Sequence, residues 1–184
     1  MTEQETILRE FPPNPYLMNY HTRRQLTKQM SERYLPGKNE YPESWISALG
    51  GLEALSNIHI MRHKLRLKRR GESGWDDIID EVERILCRHW NPIEIHELPG
   101  RIDTRRSYRL PDGMEFEKRR VYEGVYHSRN HQLAARLYQI SGITTLVFYQ
   151  GEVSVKRGYC FPWGELEPQI LQCLNRPYER TEPS

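Results

Sequence analysis

The chain has 184 residues, of which 37% are hydrophobic and 28% charged, and its formal net charge at pH 7 is +2. This composition indicates a globular protein, and a charge so close to neutral predicts no general affinity for polyanions. No run of about 18 apolar residues is present, which excludes a membrane-spanning helix and a membrane partner. The polar start lacks the apolar core of a secretory signal, and three scattered cysteines form no Cys-x-x-Cys pair. A cytoplasmic location is predicted.

The first half of the chain is predicted to be helical. Residues 1–15 end in a proline-rich stretch and are predicted as an extended tail. Residues 16–92 are predicted to form about three helices, over 16–35, 42–70 and 75–90. The third has the clearest pattern, because its apolar residues recur at i, i+3, i+4 and i+7.

The second half, residues 93–176, is predicted to be an α+β module. The alternating pattern from Ile93 to Leu98 predicts a short strand. Residues 107–110 and 114–122 flank Pro111-Asp112-Gly113, which predicts a hairpin. Residues 177–184 are predicted as a tail, and the chain is expected to contain no internal repeat.

Residues 128–175 predict a helix, a strand, a tight turn, a strand and a helix. Ser128 is expected to cap the first helix, and Ser141-Gly142 to end it. Gln150-Gly151 supplies the turn between two strands rich in β-branched residues. The buried side of the last helix is predicted to carry four aliphatic residues: Leu166, Ile170, Leu171 and Leu174.

This segment resembles the amino-terminal domain of the Nfu/NifU-type iron–sulphur scaffold proteins. The family's helix, its phrase Gly-Val with a following Val-Phe, its Val-x-Val-Lys strand and its closing Trp-x-x-Leu-x-Pro-x-Ile helix all have matching residues in order. These are Leu133, Ala134, Leu137, Tyr138, Ile140, Gly142, Ile143, Leu146 or Val147, Phe148, Val153, Val155, Lys156, Trp163, Leu166, Pro168 and Ile170. Pro13-Asn14-Pro15 is similar to an Asn-Pro near the start of the family's domain, but it lies more than a hundred residues before the matching helix.

The resemblance implies a ββαββα module with an antiparallel sheet and a place near iron–sulphur cluster assembly. Two features differ from the family pattern. His131-Gln132 stands where the family usually has Ser-Pro, and the sequence lacks the cluster-binding Cys-x-x-Cys of the family's separate carboxy-terminal domain. The resemblance therefore implies a fold and a pathway, and no cofactor is predicted; an iron–sulphur cluster has no Cys-x-x-Cys to support it.

Residues 63–70 form the strongest local charge cluster. Functionally, its cations suit the phosphates of a nucleic acid, although a solvated helix end would have the same composition. Leu65 and Leu67 alternate with the charges and interrupt a purely basic helix face. The candidate nucleic-acid-binding residues are Lys64, Arg66, Lys68, Arg69 and Arg70.

An aromatic loop before the last helix is the candidate surface for a protein partner. The loop contains Tyr159, Phe161 and Trp163, and the basic residues Arg119 and Arg120 lie in the predicted hairpin. Aromatic and arginine side chains are enriched where proteins bind one another. The alternative is that Phe161 and Trp163 attach the last helix to the sheet.

A third hypothesis is a small enzyme. His127 and His131 have residue types that suit metal or acid–base chemistry, and Cys160 is a candidate reactive thiol. No phosphate-binding loop, nucleophile elbow or zinc-protease motif is present, so no catalytic or metal-ligating residue is assigned. The leading hypothesis is a non-enzymatic adaptor that binds a protein and is linked to iron–sulphur cluster assembly or delivery, and nucleic-acid binding is the alternative.

Overall fold

The computed structural model describes residues 4–38, 40–71, 74–111, 114 and 116–176. Within these ranges the protein is an α+β protein with ten strands and four helices. In chain order they are β1 Glu5–Glu10, β2 Leu17–His21, β3 Glu32–Tyr34, α1 Ser44–Gly50, β4 Leu55–Met61, β5 Lys64–Arg69, α2 Ile79–Trp90, β6 Ile93–Glu97, β7 Arg105–Arg109, β8 Arg120–Tyr122, α3 Gln132–Gln139, β9 Ile143–Tyr149, β10 Glu152–Arg157 and α4 Trp163–Asn175. None of the helices in the described part of the chain is long and apolar enough to span a membrane.

The first unit, residues 4–97, is a sheet with two helices on one face. Its described strands lie in the order β3-β4-β5-β2-β1-β6, and all neighbours are antiparallel except β1 and β6. Helices α1 and α2 share one apolar core with this sheet, built around Trp45, Leu49, Val82 and Leu86. The sheet's other face carries no described helix, and it is this face that later forms the site.

The prediction of a helical first half is therefore wrong. In the described part of this half, helices form only at α1 and α2, whereas the predicted helices over 16–35 and 42–70 contain the strands β2, β3, β4 and β5, and the predicted tail contains β1. The reason is a period of two in burial: Leu65 and Leu67 are buried, and the charged residues between them are not. The alternation that interrupted a basic helix face is the pattern of a strand with one buried face.

The second unit, residues 98–176, repeats this arrangement around its own core. Its described strands lie in the order β7-β10-β9-β8, and α3 and α4 pack against them. The turn between β9 and β10 has φ of 47° at Gln150 and 74° at Gly151, as a tight hairpin requires. Three of the four predicted core residues of α4 are buried, but Leu171 is exposed.

Two local predictions for the second unit need correction. The predicted hairpin does not form, because β7 and β8 lie at opposite edges of the sheet; its turn residues Asp112 and Gly113 lie outside the described residues, as do residues 177–184. The α3 cap is His131, whose Nδ1 accepts from the Ala134 backbone N at 3.1 Å, whereas Ser128 donates to the Val125 carbonyl.

The two units are copies of one topology with a period of 88 residues. Each strand from β6 to β10 begins 88 positions after its counterpart among β1 to β5: Ile93 after Glu5, Arg105 after Leu17, Arg120 after Glu32, Ile143 after Leu55, and Glu152 after Lys64. Core residues keep the same spacing, as in Trp75 and Trp163 or Leu86 and Leu174. The expectation of no internal repeat is therefore wrong. The repeat is not visible in the residue types, because it preserves burial and strand pairing more than residue identity.

One strand breaks the equivalence of the two units. In the first unit β1 pairs with β2, but its counterpart β6 pairs with β1 in parallel, Glu5 opposite Ile93 and Ile7 opposite Ile95. Strand β6, predicted as the start of the second module, thus belongs to the first sheet. The second unit consequently has one strand fewer on that side.

The turn between β4 and β5 joins the two units. The buried guanidinium of Arg62 donates to the carbonyl oxygens of Tyr138 and Ile143, both at 2.7 Å. The adjacent His63 is also buried, with Nδ1 2.8 Å from the Arg24 carbonyl oxygen and Nε2 3.1 Å from the backbone N of Gly142. The units are therefore held together by specific polar contacts.

Candidate functional site

A cleft of about 280 Å³ lies between the open face of the first sheet and the second unit. We call it the inter-unit cleft. The first sheet contributes His21, His59 and Lys64, and the second unit contributes Lys156 and Tyr159. Cationic or imidazole side chains thus approach the cleft from both units and outnumber the one carboxylate among its described lining residues, Glu123, so that the cleft is complementary to an anionic group.

Lys64 is the most unusual residue of the cleft. Burial, followed by the charges of Arg66 and Lys156, lowers the pKa of its ammonium group to about 8, and Glu10 opposes this shift. Lys64 makes no hydrogen bond or ion pair with the described residues, although a desolvated ammonium group normally has such a partner. Its charge is therefore available to a ligand.

His59 adds an unpaired polar atom to the same cleft. Its Nε2 is buried and has no hydrogen-bond partner among the described residues. Burial first, and then the charges of Arg33, Arg66 and Lys64, lower the pKa of its imidazole. An acidic ligand would satisfy this ring nitrogen and offset the surrounding positive charge together.

A pair of stacked rings lies beside Lys64 in the cleft, because His21 is the residue of β2 that pairs with Lys64. His21 and Tyr159 lie with ring centroids 4.1 Å apart and an interplanar angle of 16°. The Glu10 carboxylate accepts from Nε2 of His21 at 2.7 Å and from Asn19 at 2.6 Å, and the hydrogen bond from His21 is the main reason that the pKa of Glu10 falls to about 2. The ring of Tyr159 therefore stacks on an imidazole whose orientation is fixed by its hydrogen bond to Glu10.

The five predicted nucleic-acid-binding residues divide into three groups. Lys64, Arg66 and Lys68 project from one face of β5, because alternate residues of a strand share a face. Arg69 is on the other face, where its guanidinium carbon lies 4.8 Å from the Tyr16 ring centroid and its Nε donates to the Pro15 carbonyl at 3.2 Å. Arg70 follows the strand and is exposed.

The predicted partner-binding residues are also separated by the fold. Phe161 is 2% exposed and Trp163 7%, and both belong to the core of the second unit, so neither presents a contact surface. Tyr159 alone of the aromatic loop lines the cleft. Arg119 and Arg120 are exposed at the start of β8, away from the lining of the cleft.

The residues of the third hypothesis do not form a reactive site. His127 Nδ1 lies 3.2 Å from the backbone N of Glu123, and His131 caps α3. Burial is the main cause that raises the pKa of the Cys160 thiol to about 11, which opposes formation of a thiolate. Across the part of the chain that the structure describes, no three His, Cys, Asp or Glu side chains are placed to hold a metal ion.

Sequence reasoning missed most of the cleft. His21 and His59 are not among the predicted site residues, because their strands lie in segments predicted as helices, and Lys156 is predicted only as a residue of the family's Val-x-Val-Lys strand. The available signal was the alternation of polar and apolar residues in β4 and β5, which places His59 and Lys64 on the same face of neighbouring strands.

Comparison with known proteins finds neither a matching family model nor a matching curated protein. Among solved structures, the crystal structure of the protein SAV1430 from Staphylococcus aureus is similar with a TM-score of 0.39 and 15% sequence identity. The match covers 46% of this chain and 99% of that chain. No conclusion rests on a similarity of this size.

Proposed function

We propose that this protein is a non-enzymatic adaptor that binds an acidic group of a protein partner in the inter-unit cleft. The observation that carries the proposal is Lys64, a partly buried ammonium group that forms no ion pair or hydrogen bond with a described residue and feels the Glu10 carboxylate only from beyond ion-pair distance. Retaining such a group lowers the stability of the fold, and a ligand that supplies a carboxylate or phosphate would reverse that effect.

The size of the cleft favours a side chain of a protein as its occupant. Pockets for free small molecules usually have volumes of about 300–1,000 Å³, and the inter-unit cleft is at or below the lower limit. A carboxylate or phosphorylated side chain fits this space. Recognition of one acidic side chain is typical of contact between proteins.

The proposal places this adaptor in iron–sulphur cluster assembly or delivery. Support comes from the resemblance to the amino-terminal domain of the Nfu/NifU-type scaffolds, whose ordered motif residues here fall in α3, β9, β10 and α4. Pro13-Asn14-Pro15, which is similar to the start of that domain, precedes β2 of the first unit. Three free cysteines agree with a reducing, cytoplasmic compartment.

The test is quantitative affinity capture from cell extract with the full chain and two variants. Lys64→Met combined with Lys156→Met removes both free lysine charges of the cleft. Lys68→Met is the matched control, because it removes a charge from the same face of β5 at a position that does not line the cleft. We expect the double variant, and not the control, to lose a set of partners enriched in iron–sulphur proteins or their assembly factors.

Equal capture by all three proteins would contradict the role of the cleft. Partners that depend on the cleft but have no connection with iron–sulphur proteins would support an adaptor and remove it from that pathway. The two parts of the proposal are thus tested separately.

Nucleic-acid binding is the second candidate, and one observation favours it. Arg33, His59 and Arg66 lie opposite one another on β3, β4 and β5, so that a basic row crosses the open face beside Lys64 and Lys68. Binding to a single-stranded oligonucleotide through the three β5 cations would weaken with salt, with a slope of log K against log[salt] of about −2. Absent or salt-insensitive binding would exclude this candidate.

A further inference from the structure

The outer edge of β7 lacks the strand that covers the same edge in the first unit. There, β2 lies between β5 and β1. In the second unit β7 pairs with β10 on one side, and no described strand pairs with its other side, because β6 has joined β1. Among the described residues, the second sheet therefore has no strand beside β7 that corresponds to β1.

The hydrogen-bonding pattern identifies the backbone groups at this edge. Leu110 donates to the Gly151 carbonyl and Thr104 accepts from the Arg157 backbone N, so the even-numbered residues of β7 face β10. The backbone groups of the odd-numbered residues consequently face outward. The outward N–H of Arg105 already donates to the side chain of Asp103. The residues with both an outward N–H and an outward C=O group for a new strand are therefore Ser107 and Arg109.

The side chains along this edge are basic and exposed. Arg105, Ser107 and Arg109 share one face of β7 and are all exposed. On the other face Arg106 forms an ion pair with Glu167 at 2.9 Å, so its charge is already balanced. The cations beside the open edge are therefore Arg105 and Arg109; neither forms an ion pair with a described residue, although Glu152 of β10 lies directly opposite Arg109.

The first unit shows which side chain suits this position. There Glu10 of β1 binds Asn19 and His21 of β2, and these two residues correspond to Ser107 and Arg109 at the interval of 88 positions. A carboxylate placed like that of Glu10 would lie beside the guanidinium of Arg109. The positive charge of Arg109 and the position of Glu10 in the first unit both indicate that a strand bound here carries a carboxylate.

We infer that the β7 edge binds an extended acidic segment of the partner protein, which adds to the second sheet as an antiparallel strand in the place that β1 takes in the first. This inference rests on the proposed adaptor function and names a second contact with its partner. Addition of a strand gives affinity through backbone hydrogen bonds, and the flanking side chains give specificity. The outward groups of Ser107 and Arg109 would pair with the segment's backbone.

A second copy of this chain does not suit the same edge. Antiparallel pairing of two β7 strands about Ser107 would place Arg105 of one strand directly opposite Arg109 of the other. Like charges at directly opposed positions destabilise a sheet. The arginines thus oppose self-association and favour an acidic strand.

The test measures binding of a labelled, end-blocked peptide with the sequence of residues 4–11 to the full chain. The peptide includes the β1 sequence, and its matched control carries Glu10→Lys. We expect Ser107→Pro, Arg109→Glu and the control peptide each to weaken binding about tenfold or more. Amide hydrogen exchange of the wild-type protein should slow at Ser107 and Arg109 when the peptide binds.

Ser107→Pro removes an outward donor and no internal hydrogen bond, so its thermal unfolding should match the wild type. Arg109→Glu and the control peptide test the same contact without altering the backbone. No binding of the wild-type protein would overturn the inference, and so would binding that survives Ser107→Pro and Arg109→Glu. Because Lys64→Met should leave peptide binding unchanged, failure at the β7 edge is distinguishable from failure of the inter-unit cleft.

Discussion

Lys64 connects the stability of this protein with its proposed function at the scale of one residue. A lysine that is protonated while partly buried and unpaired destabilises the folded state relative to the unfolded chain. A residue that only supported the fold would not be an unpaired cation at this position. Because its ammonium group destabilises the fold and is proposed to bind the acidic group, replacement of Lys64 should weaken binding without weakening the fold.

Replacement of Lys64 by Met should stabilise the protein by about 2 kcal/mol at pH 7. The folded pKa of about 8 lies below the ordinary 10.5, so the unfolded chain binds more protons between these values, and the wild type gains stability as the pH rises from 8 to 10.5. The advantage of the variant should therefore shrink over that range. Urea denaturation at pH 7 and pH 10 measures it.

Lys68→Met is the control for this prediction, since exposed substitutions usually change stability by less than about 0.5 kcal/mol. A Lys64→Met variant that is less stable than the wild type would show that the ammonium group has a stabilising partner.

At the scale of the element, the β9–β10 hairpin depends on the conformation of its two turn residues. Gln150 has a positive φ of 47°, which is uncommon for a residue other than glycine. Asn tolerates this conformation better, and Asn-Gly is the preferred pair for such a turn. The local sequence is thus not the most stable one for this hairpin.

Gln150→Asn should accordingly raise the free energy of unfolding by about 0.5–1 kcal/mol. Gly151→Ala is the opposite control, because a side chain at φ of 74° is strained, and it should lower that free energy by at least about 1 kcal/mol. Chemical denaturation of both variants measures the difference. A stabilising Gly151→Ala would contradict the turn conformation described here.

Helix α3 shows a second effect at this scale, the close approach of a glycine. Gly142 has φ of 97°, and a Cβ atom at this position would collide with the Phe161 ring. The helix end, the loop before α4 and the turn that holds His63 therefore meet at one backbone position. The motif Ser141-Gly142 was read correctly as a stop, but its role in packing depends on the distant Phe161.

At the scale of the whole molecule, the relative position of the two units depends on a few buried polar residues. Arg62 is 5% exposed and donates to carbonyl groups of the second unit, and no carboxylate of a described residue pairs with it. Arg23 forms a further contact with Glu165 at 2.6 Å across the same junction. These contacts lie at the junction that borders the inter-unit cleft, whose lining includes Arg62.

Arg62→Met should lower the free energy of unfolding by about 2–4 kcal/mol, because the carbonyl oxygens of Tyr138 and Ile143 lose their donors in a buried place. The measurement is chemical denaturation followed by tryptophan fluorescence. Arg70→Met removes an exposed cation close by in sequence and should have little effect. An equal effect of both changes would mean that the junction is not held by Arg62.

His63 makes the junction sensitive to acid. Its Nε2 accepts from Gly142 and its Nδ1–H donates to Arg24, so the neutral ring is required, and burial is the main cause that lowers its pKa to about 4. The unfolded chain then binds more protons between pH 6.5 and 4, and stability falls by about 3 kcal/mol as the pH falls through this range. Above pH 6.5 this contribution is fully present.

His63→Gln should flatten this part of the pH profile, as measured by urea denaturation from pH 7 to pH 4. Three other imidazoles, His21, His59 and His131, have lowered pKa values and add a slope of the same sign, so the difference between variant and wild type reports His63. His96→Gln, at an exposed position, is the control. An unchanged profile in His63→Gln would contradict the neutral, doubly bonded ring.

The sequence by itself determined the elements whose signals are local. The helices α2, α3 and α4, the hairpin β9–β10 and the strand β6 all follow from periodicity and turn residues within a few positions. The mixture of helices and strands follows from the same signals. These features depend on residues a few positions apart in the chain, so a single sequence is enough to predict them.

Only the tertiary structure decided the pairing of strands and the position of the site. Strand β5 lies between β2 and β4, and β6 pairs with β1 of the first sheet instead of with a strand of its own unit. The cleft brings His59 and Lys64 to Lys156 across nearly a hundred residues. Burial and charge at such a site depend on contacts between distant segments, which a single sequence does not encode in any local pattern.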